Sequence, residues 1–71
     1  MGLTSKGVGF EGNILDLVGD EILVSRLRDL GFIRGEKIWI RGIAPFGEPL
    51  MVEVRGAVVA LRKKEAECIQ V

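Results

Sequence analysis

Few residues in this chain have side chains that do covalent or metal chemistry. There is no His and one Cys, Cys68, among 71 residues. Without imidazole there is no Ser-His-Asp or Cys-His nucleophile system and no His metal ligand. A single thiol forms neither an internal disulfide nor a thiolate cluster, which excludes a Cys-built structural zinc site. Glu65, Glu67 and Cys68 supply carboxylates and a thiol, groups that bind transition metals. Neighbouring positions on one short turn do not converge on a point, however, so the expectation is a solvated face with Cys68 as a small buried hydrophobe. No metal site is predicted from them, and no cofactor is expected. Fe(II) or another divalent metal stays open as a ligand, without an identifiable site. The run Gly7-Val8-Gly9-Phe10-Glu11-Gly12 spells G-x-G-x-x-G. A dinucleotide-binding turn must follow a strand and open a helix. Here the motif sits near the start of the chain and a strand-like run follows it, so these are turn glycines. Met1-Gly2 lacks the Ser or Thr that a myristoylation signal needs where this chain has Lys6.

Charge says more about partners. Ten Lys+Arg balance ten Asp+Glu, giving a formal net charge of +0 and a pI of about 6.2. A dedicated nucleic-acid binder carries a basic excess to neutralise phosphates, so none is expected as a partner. The cations (Arg26, Arg28, Arg34, Lys37, Arg41, Arg55, Arg62, Lys63 and Lys64) are mixed with acids as on an ordinary surface. Arg41 and Arg55 would share an outward face if their strands pair as a hairpin. Trp39 alternates with Ile38 and Ile40, which claim the core, so its ring either packs under the helix or stays exposed. Phe46 lies between two prolines, where it either folds back over the core or projects. If both project, they form with Pro45, Pro49 and Met51 an apolar patch of the kind that marks a protein contact.

The elements that position these residues can be read from periodicity. Asn13 to Val18 is a short branched run bounded by Gly12 and Gly19, read as a strand with Leu15 and Leu17 inward. Asp20 can cap a helix, Glu21 suits its first turn, and Gly31 can end it in a left-handed conformation. Leu23, Leu27 and Leu30, with Val24, make the apolar stripe, and Phe32 closes the cap. From Lys37 to Arg41, and again from Leu50 to Arg55, the pattern alternates as strands do, with a Pro/Gly loop between. Gly56 reverses the chain. Ala57 to Leu61 is apolar on both faces and reads as the most buried strand. Lys63 to Glu67 is at most one helical turn, and Cys68 to Val71 a last short strand. About five short strands with tight turns predict a small closed barrel, because closure removes exposed edges.

Size limits the rest. A chain this short is one domain, spanning 1–71, with a marginal core; residues 1–9 are expected to be loosely ordered. The 48% hydrophobic content indicates a folded chain. The longest apolar run, Ala57 to Leu61, falls far short of the roughly 20 residues of a membrane span, and Met1 to Gly12 has no apolar core of a signal peptide. A lone thiol fits a reducing cytoplasm.

Three segments carry a family resemblance. Arg26-Leu27-Arg28-Asp29-Leu30-Gly31-Phe32-Ile33-Arg34-Gly35 resembles the "RL.DLGF..G" signature of the FeoA family. Ala44-Pro45-Phe46-Gly47-Glu48-Pro49-Leu50 resembles its "AP.G.P" loop, and Val54-Arg55-Gly56 with Val59 to Ala66 resembles its "VRG..LALR..EA" ending. The order and spacing match from Gly12 to Val71. The resemblance implies a mainly β fold: a small SH3-like barrel with one α-helix between the first and second strands. It implies a cytoplasmic accessory protein of ferrous iron uptake that acts, without catalysis, on the membrane transporter FeoB. Two other readings stay open. One is a metal-responsive regulatory module like the SH3-like domain of DtxR-type repressors. The other is a nucleic-acid-binding small barrel. The expected contact surface is Trp39, Arg41, Pro45, Phe46, Met51 and Arg55, with Gly31, Gly35, Gly47 and Gly56 as structural turn glycines. A homo-oligomer is open.

Overall fold

A computed structural model describes all 71 residues. The helix forms where the capping residues require it. The Asp20 carboxylate accepts hydrogen bonds from the N–H groups of Ile22 (2.9 Å) and Leu23 (3.1 Å), which starts α1 (Glu21–Asp29). At its other end Gly31 takes φ +105°, and the N–H of Phe32 donates to Leu27 O at 2.9 Å while that of Gly31 donates to Arg28 O at 3.0 Å. This double closure delivers Phe32, fully buried, into the core. Val24 and Leu27 are buried beside it, Leu23 is half-buried, and Leu30 is left 41% exposed, so the inward stripe is narrower than its spacing suggests.

Six strands form, and they make two sheets rather than a closed barrel. β1 (Glu11–Asn13), β3 (Lys37–Ile43), β4 (Leu50–Val54) and β5 (Ala57–Leu61) make one antiparallel sheet in the order β1-β3-β4-β5. β2 (Asp16–Leu17) pairs with β6 (Ile69–Gln70) in a second, two-stranded sheet. Neither sheet closes on itself, which corrects the expected barrel; α1 lies between the second and third strands, not the first and second. The cause is local. The Ile14 N–H still donates to Glu36 O, on the β3 side, but the Leu15 N–H donates to Gln70 O. The chain changes partner between these residues, so one expected strand becomes two. Ile14 and Leu17 turn inward and Leu15 is 63% exposed, against the alternation expected.

The large sheet presents Ile38, Ile40, Leu50, Val52, Val54 and Leu61 to a core completed by α1, Phe32, Ala66 and Ile69. β5, expected to be the most buried strand, is an edge: Ala57, Val58 and Ala60 are exposed and only Leu61 is buried. The start of the chain is not loose. Leu3, in a 3-10 turn over Leu3–Ser5, is fully buried, Gly2 bridges to Gln70, and the Val71 N–H donates to Met1 O at 2.9 Å. A short α2 (Lys63–Glu67) precedes β6; the buried Glu65 carboxylate accepts the Arg62 N–H at 2.9 Å and pairs with Arg26 at 3.5 Å. No helix is long and apolar enough to cross a membrane.

Candidate functional site

The outer face of the large sheet is built around Trp39. Its β-sheet neighbours are Glu11 on β1 and Glu53 on β4, and along β3 it stands between Lys37 and Arg41. The indole N–H donates to the Glu11 carboxylate. The Lys37 ammonium lies 5.0 Å and the Arg41 guanidinium 5.2 Å from the ring centre, within range of cation–π attraction. Lys37 also pairs with Glu11 at 3.3 Å, and Arg41 donates to Glu53 at 2.8 Å. The half-buried ring is thus held in place by charges rather than packed under the helix. A register shift between Ile40 and Gly42 makes Arg41 the extra residue of a β-bulge, with Met51 opposite Gly42 on the same side of the sheet. The indole hydrogen bond, then the Lys37 bond and charge, hold the Glu11 carboxyl below its ordinary range.

Beyond the bulge the chain enters the loop from Ala44 to Pro49. Phe46 stands at its tip, 94% exposed, and Pro45 beside it is exposed too. The loop is fastened at several points: the Gly47 N–H donates to Ala44 O at 2.8 Å, the Ala44 N–H to Pro49 O at 3.2 Å, and the Glu48 carboxylate accepts the Lys63 N–H at 2.9 Å. Phe46 does not fold back over the core; it projects from a fixed frame.

The structure therefore brings Trp39, Arg41 and Met51 onto one sheet face and sets Pro45 and Phe46 at the end of the β3–β4 hairpin. Arg55 is not with them. The strands β3 and β4 do pair as a hairpin, but Arg55 (φ 51°) lies beyond the end of β4 and with Gly56 (φ 82°) forms the tight turn at its far end, and the Arg55 stem lies over Gly31. Gly31, Gly35, Gly47 and Gly56 all have positive φ. The residues that the pattern did not single out are Glu11, Glu48 and Glu53. Their roles come from cross-strand and loop–helix contacts that no local spacing signals.

Cys68 lies elsewhere, beside an open concavity of about 610 Å³ next to Asp20, Leu23 and Glu67. Burial first, then the carboxylates of Asp20, Glu67 and Glu65, push the thiol pKa up, so it stays protonated and is a poor ligand. No group of three or more His, Cys, Asp or Glu side chains gathers where it could hold a metal ion.

The site thus belongs to a small two-sheet domain that carries a large, exposed aromatic side chain on a fixed loop. The model of the FeoA domain family matches residues 1–71. The chain belongs to the FeoA family, whose members are non-enzymatic accessory proteins of ferrous iron transport. Solved structures agree. The FeoA-like protein of Clostridium acetobutylicum is 32% identical with a TM-score of 0.90, over 97% of this chain and 80% of that one. Stenotrophomonas maltophilia FeoA, solved with zinc and described as a procaryotic SH3-domain protein, is 30% identical with a TM-score of 0.85, over 99% of this chain and 87% of that one. Iron(II) transport protein A of Clostridium thermocellum is 34% identical with a TM-score of 0.87, over 99% of this chain and 43% of that one. The comparison with curated proteins returns no match.

Proposed function

We infer that this chain is a cytoplasmic accessory module of ferrous iron uptake that docks, without catalysis, on the cytoplasmic part of a FeoB-type transporter. The contact is the Phe46 loop, with Pro45 at its tip and Met51, Trp39 and Arg41 on the adjoining sheet face. One observation supports this most: a large aromatic side chain, 94% exposed, on a loop fixed by hydrogen bonds to its own backbone and to the start of α2. A domain with so small a core leaves such a residue in water only at a cost in apolar exposure, and a preordered aromatic loses little entropy when a pocket covers it. The test is a photo-crosslinking residue at position 46 in the full chain, co-expressed with the transporter. Crosslinks to cytoplasmic segments of FeoB support the reading. Crosslinks to other proteins only, with none to FeoB, overturn it.

A further inference from the structure

We propose that the free edge of β5 is a strand-addition site for an extended, apolar segment of a partner protein flanked by acidic residues. The edge is open by hydrogen-bond phase. Ile40 exchanges bonds with Gly9 and Phe10 on the β1 side, so Trp39 faces β4, and the alternation carries across the sheet. Val54 then bonds Ala57 across the two-residue turn, Val52 bonds Val59 and Leu50 bonds Leu61. The N–H and C=O groups of Val58 and Ala60 point away from β4. No backbone hydrogen bond outside that ladder involves Ala57 to Leu61, and both outward residues are exposed.

Edge strands ordinarily carry a Lys, a Pro or a bulge that blocks pairing. β5 reads Ala-Val-Val-Ala-Leu, with an unbroken register and none of these. The charges sit at its two ends. Arg55 precedes it, and Arg62, Lys63 and Lys64 follow it. The ion pairs of the chain use Arg26, Arg34, Lys37 and Arg41, leaving all four flanking cations unpaired. An apolar edge bracketed by free cations complements an apolar strand bracketed by carboxylates. It disfavours a second copy of this chain. The antiparallel register that uses both outward residues sets Val58 against the second copy's Ala60, and thereby Arg55 against the second copy's Lys63. The surface does not depend on Phe46 and stands whichever protein supplies the segment.

The experiment is amide hydrogen exchange by NMR on the full chain with the synthetic peptide Glu-Glu-Val-Thr-Val-Thr-Val-Glu-Glu. Saturating peptide is expected to slow exchange of the Val58 and Ala60 amides by about tenfold or more and to leave Val59, already bonded to β4, unchanged. Ala60→Pro, which deletes an outward N–H and no ladder bond, abolishes the effect while the remaining spectrum stays native. The same core flanked by Lys binds at least about tenfold more weakly at low salt. Phe46→Ser leaves peptide binding intact, which separates this outcome from that of the loop reading. The proposal is overturned if the peptide protects neither amide, if Ala60→Pro binds as wild type, if the Lys-flanked peptide binds equally well, or if the amides become protected with rising protein concentration alone, as a second copy would produce.

Discussion

Phe46→Ser separates folding from docking, because the two effects differ so widely at this position. The ring is 94% exposed and packs on nothing in the folded chain, so its removal changes stability by no more than about 0.5 kcal/mol. Phe32 is the internal control. It is fully buried, and Phe32→Ala removes a ring from the core at a cost of about 3–5 kcal/mol. A domain of this length has only about 4–10 kcal/mol in total, so that variant is largely or wholly unfolded. If a transporter pocket covers the Phe46 ring, roughly 150 Å² of apolar surface leaves water, worth about 4 kcal/mol gross at about 25 cal/mol per Å². Ordering of the partner and imperfect fit lower this to about 2 kcal/mol, a loss of about thirtyfold in affinity. The assays are urea unfolding for stability and biolayer interferometry against detergent-solubilised FeoB for affinity. An unchanged urea midpoint with about thirtyfold weaker binding is expected. An affinity change below about threefold, or a stability loss above about 1 kcal/mol, refutes the reasoning.

Other consequences follow from the contacts around the sheet and the C-terminal turn. Trp39 is the single Trp, so its fluorescence reports the Glu11 bond. Because the folded-state pKa of Glu11 is lowered, the stabilising contribution is present above the unfolded value and lost as pH falls through the folded one; emission changes with a midpoint below the ordinary 4.5, and Glu11→Gln removes that transition. A midpoint at or above that value counts against the bond. Glu65→Ala leaves the Arg62 N–H without its acceptor and Arg26 without its ion pair, and costs about 1–3 kcal/mol in urea unfolding. Alkylation of Cys68 by iodoacetamide at pH 8 is slower than that of a free cysteine by about tenfold or more and accelerates in urea, because the buried thiol is held protonated. Reaction at the free-cysteine rate would show that the thiol is open to solvent.

The sequence by itself determined the elements whose signals are local. Asp20, Glu21 and Gly31 set the ends of α1 through hydrogen bonds within a few residues of each other, and the alternation of Lys37 to Arg41 and of Leu50 to Val54 assigned the two central strands and their inner faces. The reversal at Gly56 belongs to the same class, and two prolines and a glycine mark the loop around Phe46; whether its ring folds back or projects was decided by the tertiary structure, which leaves it exposed. Only the tertiary structure decided what depends on distant partners. The switch between Ile14 and Leu15 from β3 to β6 divides one apparent strand, inverts the exposure of Leu15 and leaves the large sheet open. The place of β5 at an edge follows from which strands have neighbours, which an apolar run cannot encode. Trp39 is held by Glu11, Lys37, Arg41 and Glu53, and two of those four come from other strands. A five-residue pattern fixes which way a side chain points relative to its own backbone, whereas what it meets there is set by chain folding over tens of residues.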